Sequence, residues 1–361
     1  MNIKETVLKS GERVAFGLRE LYSAYGYRQY KMSKFEEYDL YARNKDFLVS
    51  DNVITFTDTN GALMALKPDV TLSIVKHTKE GQDLHKVYYD ENVYRVSGSS
   101  RAYREIMQTG LECIGAIDSY ALSEVLMLAV QSLARISSDY VLDISQLDVV
   151  LAVIDAMNVD AQTRAALLVA VGEKNLHAVR ALCEDAELLC RLISLQGAPA
   201  RVIPALREML TDGKASAAVE QLAQIVDALS ASGYGDRIRI DFSVVDDMNY
   251  YNGIVFKGFV NGVPEAVLSG GQYDKLMRKM GKKAGAIGFA VYLDLLERLE
   301  ERTDAYDVDV LITYGADVSL SQLLQTANGL TSAGESVIVR REDTGDVRYR
   351  RLVHVMAEEV R

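Results

Sequence analysis

The segment VYRVSGSSRAYREIMQTGLECIG, residues 93–115, has the pattern of two strands on either side of a polar, basic loop. The first strand begins upstream in HKVYYDENVYRV (residues 85–96), and the second covers residues 105–115. Side chains of a strand alternate between the two faces of a sheet, so Gln108 and Glu112, four residues apart, share one face. The segment therefore predicts a strand pair that presents polar side chains on one side of a sheet.

The flanking sequence predicts a helix and a hairpin before this pair, and a helix after it. Residues 10–26 have apolar residues at helical spacing, with Gly26 near the end. In VITFTDTNGALMALK, residues 53–67, Asn60-Gly61 indicates a tight turn in which both central residues take positive φ. Downstream, Asp118 opens a helix that we expect to continue to about Ile136.

Residues 145–232 differ in character from the rest of the chain. They are rich in Ala and Leu at helical spacing, with short polar breaks between the periodic stretches. We interpret them as an all-helical insertion whose Leu and Met residues form its own core.

Strand patterns return after the insertion. RIRIDFSVV (residues 237–245) alternates apolar residues and predicts the first strand of an antiparallel meander, which the next strands continue with a turn at Asn261-Gly262. AVYLDLLERLEER (290–302) predicts a closing helix. Beyond it, residues 307–342 predict a βαβ-like tail, and we interpret the basic end, residues 347–361, as a solvated face.

These patterns together predict an α+β fold in three parts. The first part is an antiparallel sheet with surrounding helices, formed by residues 1–144 and 233–302. The second is the helical insertion, residues 145–232, and the third is a small C-terminal α/β segment, residues 303–361.

Composition and charge exclude several functional classes. The chain has 361 residues, a formal net charge of −11 and a pI of about 5.0, which disfavours nucleic-acid binding as its main role. No apolar run approaches the roughly 18–20 residues that span a membrane, and residues 1–16 lack the apolar region of a secretory signal. Three cysteines without a close pair indicate a reducing compartment, and we expect a cytoplasmic protein. Four scattered histidines and no Cys-x-x-Cys motif indicate no metal site, and we expect no cofactor.

Four segments, in chain order, resemble the catalytic core of histidyl-tRNA synthetases, a class II synthetase fold. LKPDVT (66–71) is similar to the family's Leu-Arg-Pro-Glu-Gly-Thr segment, and residues 93–115 are similar to motif 2. DDMNYYNGIVF (246–256) resembles the histidine-binding signature. SGGQYDKL (269–276), followed by AIGFAVYLDLLERL (286–299), resembles the Gly-Gly-Arg-Tyr-Asp segment and motif 3.

The resemblance implies a site for free histidine. Asp69 and Thr71 match the positions that hold the ligand's amino group, and Gln108 matches the glutamine that contacts the amino-acid backbone. Glu112 matches the glutamate that recognises the imidazole ring of the ligand. Three tyrosines match those that surround the imidazole ring in the family: Tyr250, Tyr251 and Tyr273. Two glycines, Gly270 and Gly271, would leave room for close approach of the backbone. The alternative is that these polar groups only satisfy one another in a core.

Departures from the family pattern fall on the groups that handle phosphate. The motif 2 arginine is present as Arg95, but Asp246 and Leu295 stand where the family carries two further arginines. Fixed cations stabilise the charge that develops on the α-phosphate during adenylation, so their loss opposes that reaction. In the motif 2 loop, Arg101 and Arg104 are candidates, with Arg95, for binding another anion, or are charges on the loop surface.

An amino-acid pocket without its phosphate-binding cations resembles the regulatory subunits of ATP phosphoribosyltransferase, a family of synthetase paralogues. This resemblance implies a non-catalytic chain that pairs with the short catalytic subunit in a hetero-octamer, is required for its activity, and mediates histidine feedback in histidine biosynthesis. A dimer is also implied, although Met32-Ser33 stands where synthetases carry an interface proline. The tail resembles only the first half of an anticodon-binding domain. Three alternatives stay open: an active or divergent histidyl-tRNA synthetase, a tRNA-binding module that senses starvation, and a phosphoribosyltransferase in its own right.

Overall fold

The computed structural model describes residues 9–45, 48, 53–78, 84–96, 102–211, 213–245, 250–299 and 306–356, with only the backbone given for 297–299. The chain divides into two compact units, residues 1–299 and 300–361, and each is described by itself. Within the described ranges, no helix is long and apolar enough to cross a membrane.

A nine-stranded sheet forms the centre of the first unit. Its strands, in spatial order, are β1 (Arg28–Gln29), β5 (His85–Val96), β6 (Tyr103–Gly115), β12 (Gly285–Tyr292), β11 (Leu268–Gln272), β10 (Asn252–Val260), β7 (Tyr140–Gln146), β9 (Ile238–Asp241) and β8 (Gln196–Gly197). The strands from β5 to β7 in this order pair antiparallel. The antiparallel sheet predicted from the sequence is confirmed, and the strand pair from which the prediction started lies within it.

Two long helices pack on this sheet as the sequence predicts. Helix α1 spans Ser10–Ala24 and is followed by Gly26 at φ +83°, a left-handed conformation that glycine adopts without strain. Helix α4 spans Ser119–Ile136, and the Asp118 carboxylate accepts a hydrogen bond from the Ala121 N–H at 2.8 Å. Both helices contribute side chains to the largest apolar core of the unit.

The stretch between β7 and β9 is helical, apart from the two residues of β8. Its helices are α5 (Leu147–Ala156), α6 (Ala161–Gly172), α7 (Leu176–Leu182), α8 (Glu187–Ser194), α9 (Pro199–Met209) and α10 (Gly213–Leu229). Their buried side chains, such as Leu189 and Ile225, belong to the same apolar cluster as Ile144 and Ile254 of the sheet. The insertion therefore shares a core with the sheet instead of forming its own, and its predicted domain boundaries stay a prediction.

A small antiparallel sheet and two short helices lie beside the main sheet. The small sheet contains β2 (Phe35–Glu37), β4 (Leu63–Leu66) and β3 (Thr55–Thr57), and the helices are α2 (Tyr38–Ala42) and α3 (Thr71–His77). Residues 67–70 connect β4 to α3. The buried Lys67 forms an ion pair with Glu91 of β5 and so ties this connection to the main sheet.

The second unit is a three-stranded parallel sheet with one helix between its first two strands. It contains β13 (Val308–Tyr314), α12 (Leu320–Ser332), β14 (Val337–Arg340) and β15 (Tyr349–Val355), with β13 in the middle. Arginines of the basic end pair with acidic neighbours: Arg348 with Asp307, and Arg351 with Glu335. Strand β15 was missed in the sequence interpretation, which assigned this stretch to a solvated face.

Three local predictions are wrong. Only Gly61 of the Asn60-Gly61 pair has positive φ, because residues 58–62 form a longer loop in which the Asp58 carboxylate accepts the N–H groups of Asn60 and Ala62. Strand β9 pairs in parallel with β7 and does not join the meander. Residues 285–292, whose end was predicted as helix, form strand β12, and a 3₁₀ helix follows at Leu293–Leu299.

Candidate ligand-binding site

A partly open cavity of about 80 Å³ lies on one face of the main sheet, next to the start of α3. This volume is well below the roughly 300–1,000 Å³ of pockets for drug-sized ligands, so the cavity suits a small metabolite. It is lined by Asp69, Val70, Thr71, Tyr89, Arg95, Gln108, Glu112, Tyr250, Tyr251, Ser269, Tyr273, Gly288, Phe289, Ala290 and Tyr292. The seven polar and aromatic side chains predicted for a histidine site are all in this lining.

Glu112 is the most constrained polar group of the cavity. It lies on β6 and is only 2% exposed. The Thr71 hydroxyl donates to its Oε1 at 2.7 Å, and the Tyr273 hydroxyl donates to its Oε2 at 2.5 Å. Each carboxylate oxygen therefore has one donor from the protein and further lone pairs with which to accept a ligand N–H.

Burial raises the pKa of Glu112 to about 8, and the nearby Asp69 carboxylate adds to the rise. The hydrogen bonds from Tyr273 and Thr71 oppose it, because they stabilise the charged form. Burial also raises the pKa of Asp69. The hydrogen bond that the Leu72 N–H donates to its carboxylate at 2.8 Å and the positive charge of Arg95 oppose this rise. The cavity thus contains two carboxyl groups in a poorly hydrated place, which favours a cationic or donor-rich ligand.

The raised pKa of Glu112 predicts that this residue makes the ligand-free protein less stable as the pH rises. Below about 4.5 both the folded and unfolded forms are protonated, and between about 4.5 and 8 only the unfolded form releases its proton. The free energy of unfolding should fall by at most about 1.4 kcal/mol per pH unit in this window. Glu112→Gln removes the titrating group. The free energy of unfolding of this variant, measured with denaturant, should therefore rise progressively relative to that of wild type from pH 5 to pH 8. The exposed Glu342→Gln is the matched control, and an unchanged difference between Glu112→Gln and wild type at all pH values would contradict the expectation.

Three tyrosine rings form one wall of the cavity. The ring centroids of Tyr250 and Tyr251 are 4.6 Å apart, and those of Tyr250 and Tyr273 are 5.7 Å apart. Tilted and edge-on contacts of this kind are favourable between aromatic rings. The wall presents apolar ring surface to a ligand, and the Tyr273 hydroxyl also orients Glu112.

Glycines shape the cavity, although not the two that were predicted. Gly288 of β12 lies opposite Glu112 of β6, and a Cβ at this position would overlap the Glu112 carboxylate. Gly110 lies under the Tyr89 ring, whose hydroxyl would be 2.5 Å from an added Cβ. Gly270 and Gly271 do not line the cavity, and an added Cβ at either would meet atoms of the neighbouring strands. Close strand packing therefore explains these two glycines, and the prediction that they give room to a ligand is not supported by their position.

Arg95 is the only cation in the described lining of the cavity. Its Nε donates to the Pro68 carbonyl at 2.9 Å. Arg104 lies opposite Arg95 in the β5–β6 pair and is exposed, which places it outside the lining. Arg101 and Asp246 lie outside the described residues. Leu295, which stands in place of the motif 3 arginine, packs against the apolar core.

Sequence reasoning missed Tyr89, Tyr292, Gly110 and Gly288. The available signal was an isolated glycine within each of two strand patterns, since such a glycine often marks close approach of another group. Among the described residues, no three His, Cys, Asp or Glu side chains are placed to bind a metal ion.

The fold and the site define a class II synthetase-like chain, and comparison with known proteins agrees. The family description "Histidyl-tRNA synthetase" matches residues 4–296, so the chain belongs to the histidyl-tRNA synthetase family. Among curated relatives, an ATP phosphoribosyltransferase regulatory subunit of Bacillus cereus is 26% identical over 343 residues, which cover 90% of this chain and 81% of the relative. The predicted resemblance to such regulatory subunits is confirmed by this relative.

Two solved structures have a similar fold. An ATP phosphoribosyltransferase regulatory subunit/histidyl-tRNA synthetase from Bacillus halodurans superimposes with a TM-score of 0.79 at 22% identity, covering 99% of this chain and 100% of that chain. A histidine–tRNA ligase subunit from Alicyclobacillus acidocaldarius gives 0.66 at 26% identity, covering 84% of this chain and 96% of that chain. The names of the relatives support a regulatory subunit of ATP phosphoribosyltransferase more than a tRNA-charging enzyme.

Proposed function

We propose that this chain is a non-catalytic regulatory subunit of ATP phosphoribosyltransferase that binds free histidine in the cavity described above. The proposal is supported by the regulatory-subunit name of the relative that matches 90% of the chain. The observation that carries the ligand assignment is Glu112, held by Thr71 and Tyr273 with both carboxylate oxygens facing hydroxyl donors.

Histidine has a charged or hydrogen-bonding partner for each of the main polar side chains of the cavity. Its ammonium is placed at Asp69, whose carboxylate lies at the start of α3, and an imidazole N–H is placed at Glu112. Gln108 and Arg95 remain for the ligand's carboxylate. Because a buried polar group without a partner costs about 1–3 kcal/mol, this pairing selects histidine over amino acids that lack the second N–H.

The same cavity is poorly suited to adenylation. Stabilising charge on a reacting phosphate takes several fixed cations, and the described lining supplies only Arg95. Leu295, which stands where the family carries a second arginine, packs against the apolar core and supplies no charge. Catalysis is therefore placed in the partner, the short catalytic subunit, and this chain in the regulatory role within a hetero-octamer.

Histidine acts as the feedback signal in this proposal. A ligand shifts an equilibrium only by its differential affinity for the two states, so the less active state of the complex binds histidine more tightly. By the same linkage, the substrates that favour the active state weaken histidine binding.

Co-expression with the short catalytic subunit tests the proposal. We expect phosphoribosyl transfer to depend on this chain and to fall as histidine is added, and calorimetry to detect histidine binding to the chain without ATP. No histidine uptake in the presence of the catalytic subunit would contradict the proposal.

A second candidate function is a divergent histidyl-tRNA synthetase, favoured by the histidine–tRNA ligase subunit that is 26% identical to this chain. It requires histidine-dependent exchange between ATP and pyrophosphate. We expect no exchange above background, and exchange at the rate of an ordinary synthetase would favour this second candidate.

A further inference from the structure

A basic groove lies at the C-terminal end of helix α11 (Asp274–Lys279), separate from the cavity of the proposed histidine site. Its volume is about 490 Å³, and it is lined by Asp274, Arg278, Gly281, Lys282, Lys283, Ala284 and Gly285. None of these residues lines the histidine cavity. The groove therefore needs an explanation of its own.

The walls of the basic groove are fixed by local hydrogen bonds. Gly281, at φ +76°, turns the chain back after α11, and the Lys282 N–H donates to the Met277 carbonyl at 2.9 Å. The Lys282 side chain donates to the carbonyl of Thr78, the residue that follows α3. Arg278 from the helix and Lys283 from the returning loop thus stand on two walls of one concave surface.

The basic groove keeps a net positive charge, because its lining has three cations and one carboxylate, Asp274. Both Asp274 oxygens are engaged, one by the Ala286 N–H at 2.9 Å and the other by the Asn252 side chain at 3.0 Å. Arg278 and Lys283 are exposed, and within the described part of the chain neither forms an ion pair or donates a side-chain hydrogen bond. Arg278 lies in the last turn of α11 and so also stabilises that helix end, but this role leaves its guanidinium exposed, and Lys283 lies beyond the helix.

We propose that the basic groove binds a small oligophosphate anion. A planar guanidinium donates two parallel hydrogen bonds to phosphate, and lysine ammonium groups act as point charges that follow a chain of phosphates. Arg278 and Lys283, on two walls, can contact successive phosphates at once, whereas a single carboxylate would meet only one of them. On a chain with a net charge of −11, such a concave basic surface also attracts anions selectively.

Titration of the full-length protein with inorganic triphosphate, and separately with ATP, tests this site. Because the contacts are exposed, we expect saturable one-to-one binding with a dissociation constant of about 0.1–1 mM that weakens as salt is added. The double variant Arg278→Glu/Lys283→Glu should weaken binding at least tenfold, and the conservative Arg278→Lys should weaken it only a few-fold. Binding of ATP with the same response to the variants identifies nucleotides as a source of the phosphate chain, and binding of triphosphate alone identifies free phosphate chains.

The matched control is Lys214→Glu/Arg341→Glu, which makes the same change in net charge at two exposed cations elsewhere. It should change the affinity less than twofold, and thermal unfolding should show that both double variants are folded. No saturable binding to wild type below 10 mM, or an equal loss in the control, would overturn the site. Because the test measures neither histidine binding nor activation of a partner, its failure leaves the proposed function untouched.

Discussion

Replacement of Glu112 by alanine is expected to weaken histidine binding by about 100-fold or more and to remove histidine inhibition of the complex with the catalytic subunit. The substitution takes away the acceptor of the imidazole N–H and leaves the Thr71 and Tyr273 hydroxyls without their buried partner. The unpaired hydroxyls lower the stability of the chain, whereas the imidazole N–H left without a buried acceptor lowers the affinity by about 1–3 kcal/mol, and 1.4 kcal/mol is a factor of ten. Activation of the catalytic subunit in the absence of histidine should be largely retained, because the substituted side chain is buried inside the cavity and the substitution alters no surface residue.

Calorimetry on the purified chain measures the first effect, and histidine inhibition curves of phosphoribosyl transfer measure the second. Glu105→Ala is a suitable control, since Glu105 is exposed on the same strand β6 and its odd-numbered position places it on the opposite face. An inhibition curve for Glu112→Ala that coincides with wild type would rule out this cavity as the sensor. Thermal unfolding of both variants separates loss of the site from loss of the fold.

The strands around residues 93–115 were predictable because local pattern and tertiary context agree there. The predicted strand 85–96 is β5, and the second strand, predicted from residue 105, is β6. Both stretches have strand-forming residues bounded by a polar loop, so their assignment needs no knowledge of the rest of the chain.

Strand β12 shows where local pattern fails. The residues from Ala290 onward have helical spacing, but the first three of them belong to the strand. The strand forms because residues 285–292 pair with β6 on one side and β11 on the other, and a sequence window contains neither partner. Strand β7 was missed for a similar reason: helix α5 begins at Leu147, directly after its last residue, with no turn signal between them.

The residues of the candidate site were also predictable in part and missed in part. Resemblance to a known family predicted the side chains of one cavity, from Asp69 to Tyr273, although they come from four distant segments. It did not predict Tyr89 or the glycines beneath these side chains, because their role depends on register. Gly288 is opposite Glu112 only when β12 and β6 pair as they do, and a shift by one residue would place Ile287 or Phe289 there.

Replacement of Gly288 by alanine is the strongest test of this register, and we expect it to lose histidine binding although it replaces none of the residues that are proposed to contact the ligand. The added methyl group would overlap the Glu112 carboxylate and lie 2.5 Å from the Leu111 carbonyl oxygen, closer than real Cβ contacts allow. Glu112 would then have to leave its place between Thr71 and Tyr273. Forcing extra volume into a packed core costs about 1–3 kcal/mol, so the free energy of unfolding should fall by that amount as affinity falls by about 100-fold.

A double-mutant cycle distinguishes a displaced carboxylate from general damage to the sheet. If the strain comes mainly from contact with Glu112, the double variant Gly288→Ala/Glu112→Ala should be less destabilised than the sum of the two single variants, by a measurable interaction free energy. Gly11→Ala is the control, because an added methyl group there has no neighbour closer than 3.9 Å and should leave stability and binding close to wild type. Additive losses in the cycle would place the strain at the Leu111 carbonyl instead of the Glu112 carboxylate. Full histidine affinity in Gly288→Ala would mean that Glu112 is not held where the pairing of β12 and β6 places it, and the assignment of the imidazole contact to this carboxylate would then be wrong.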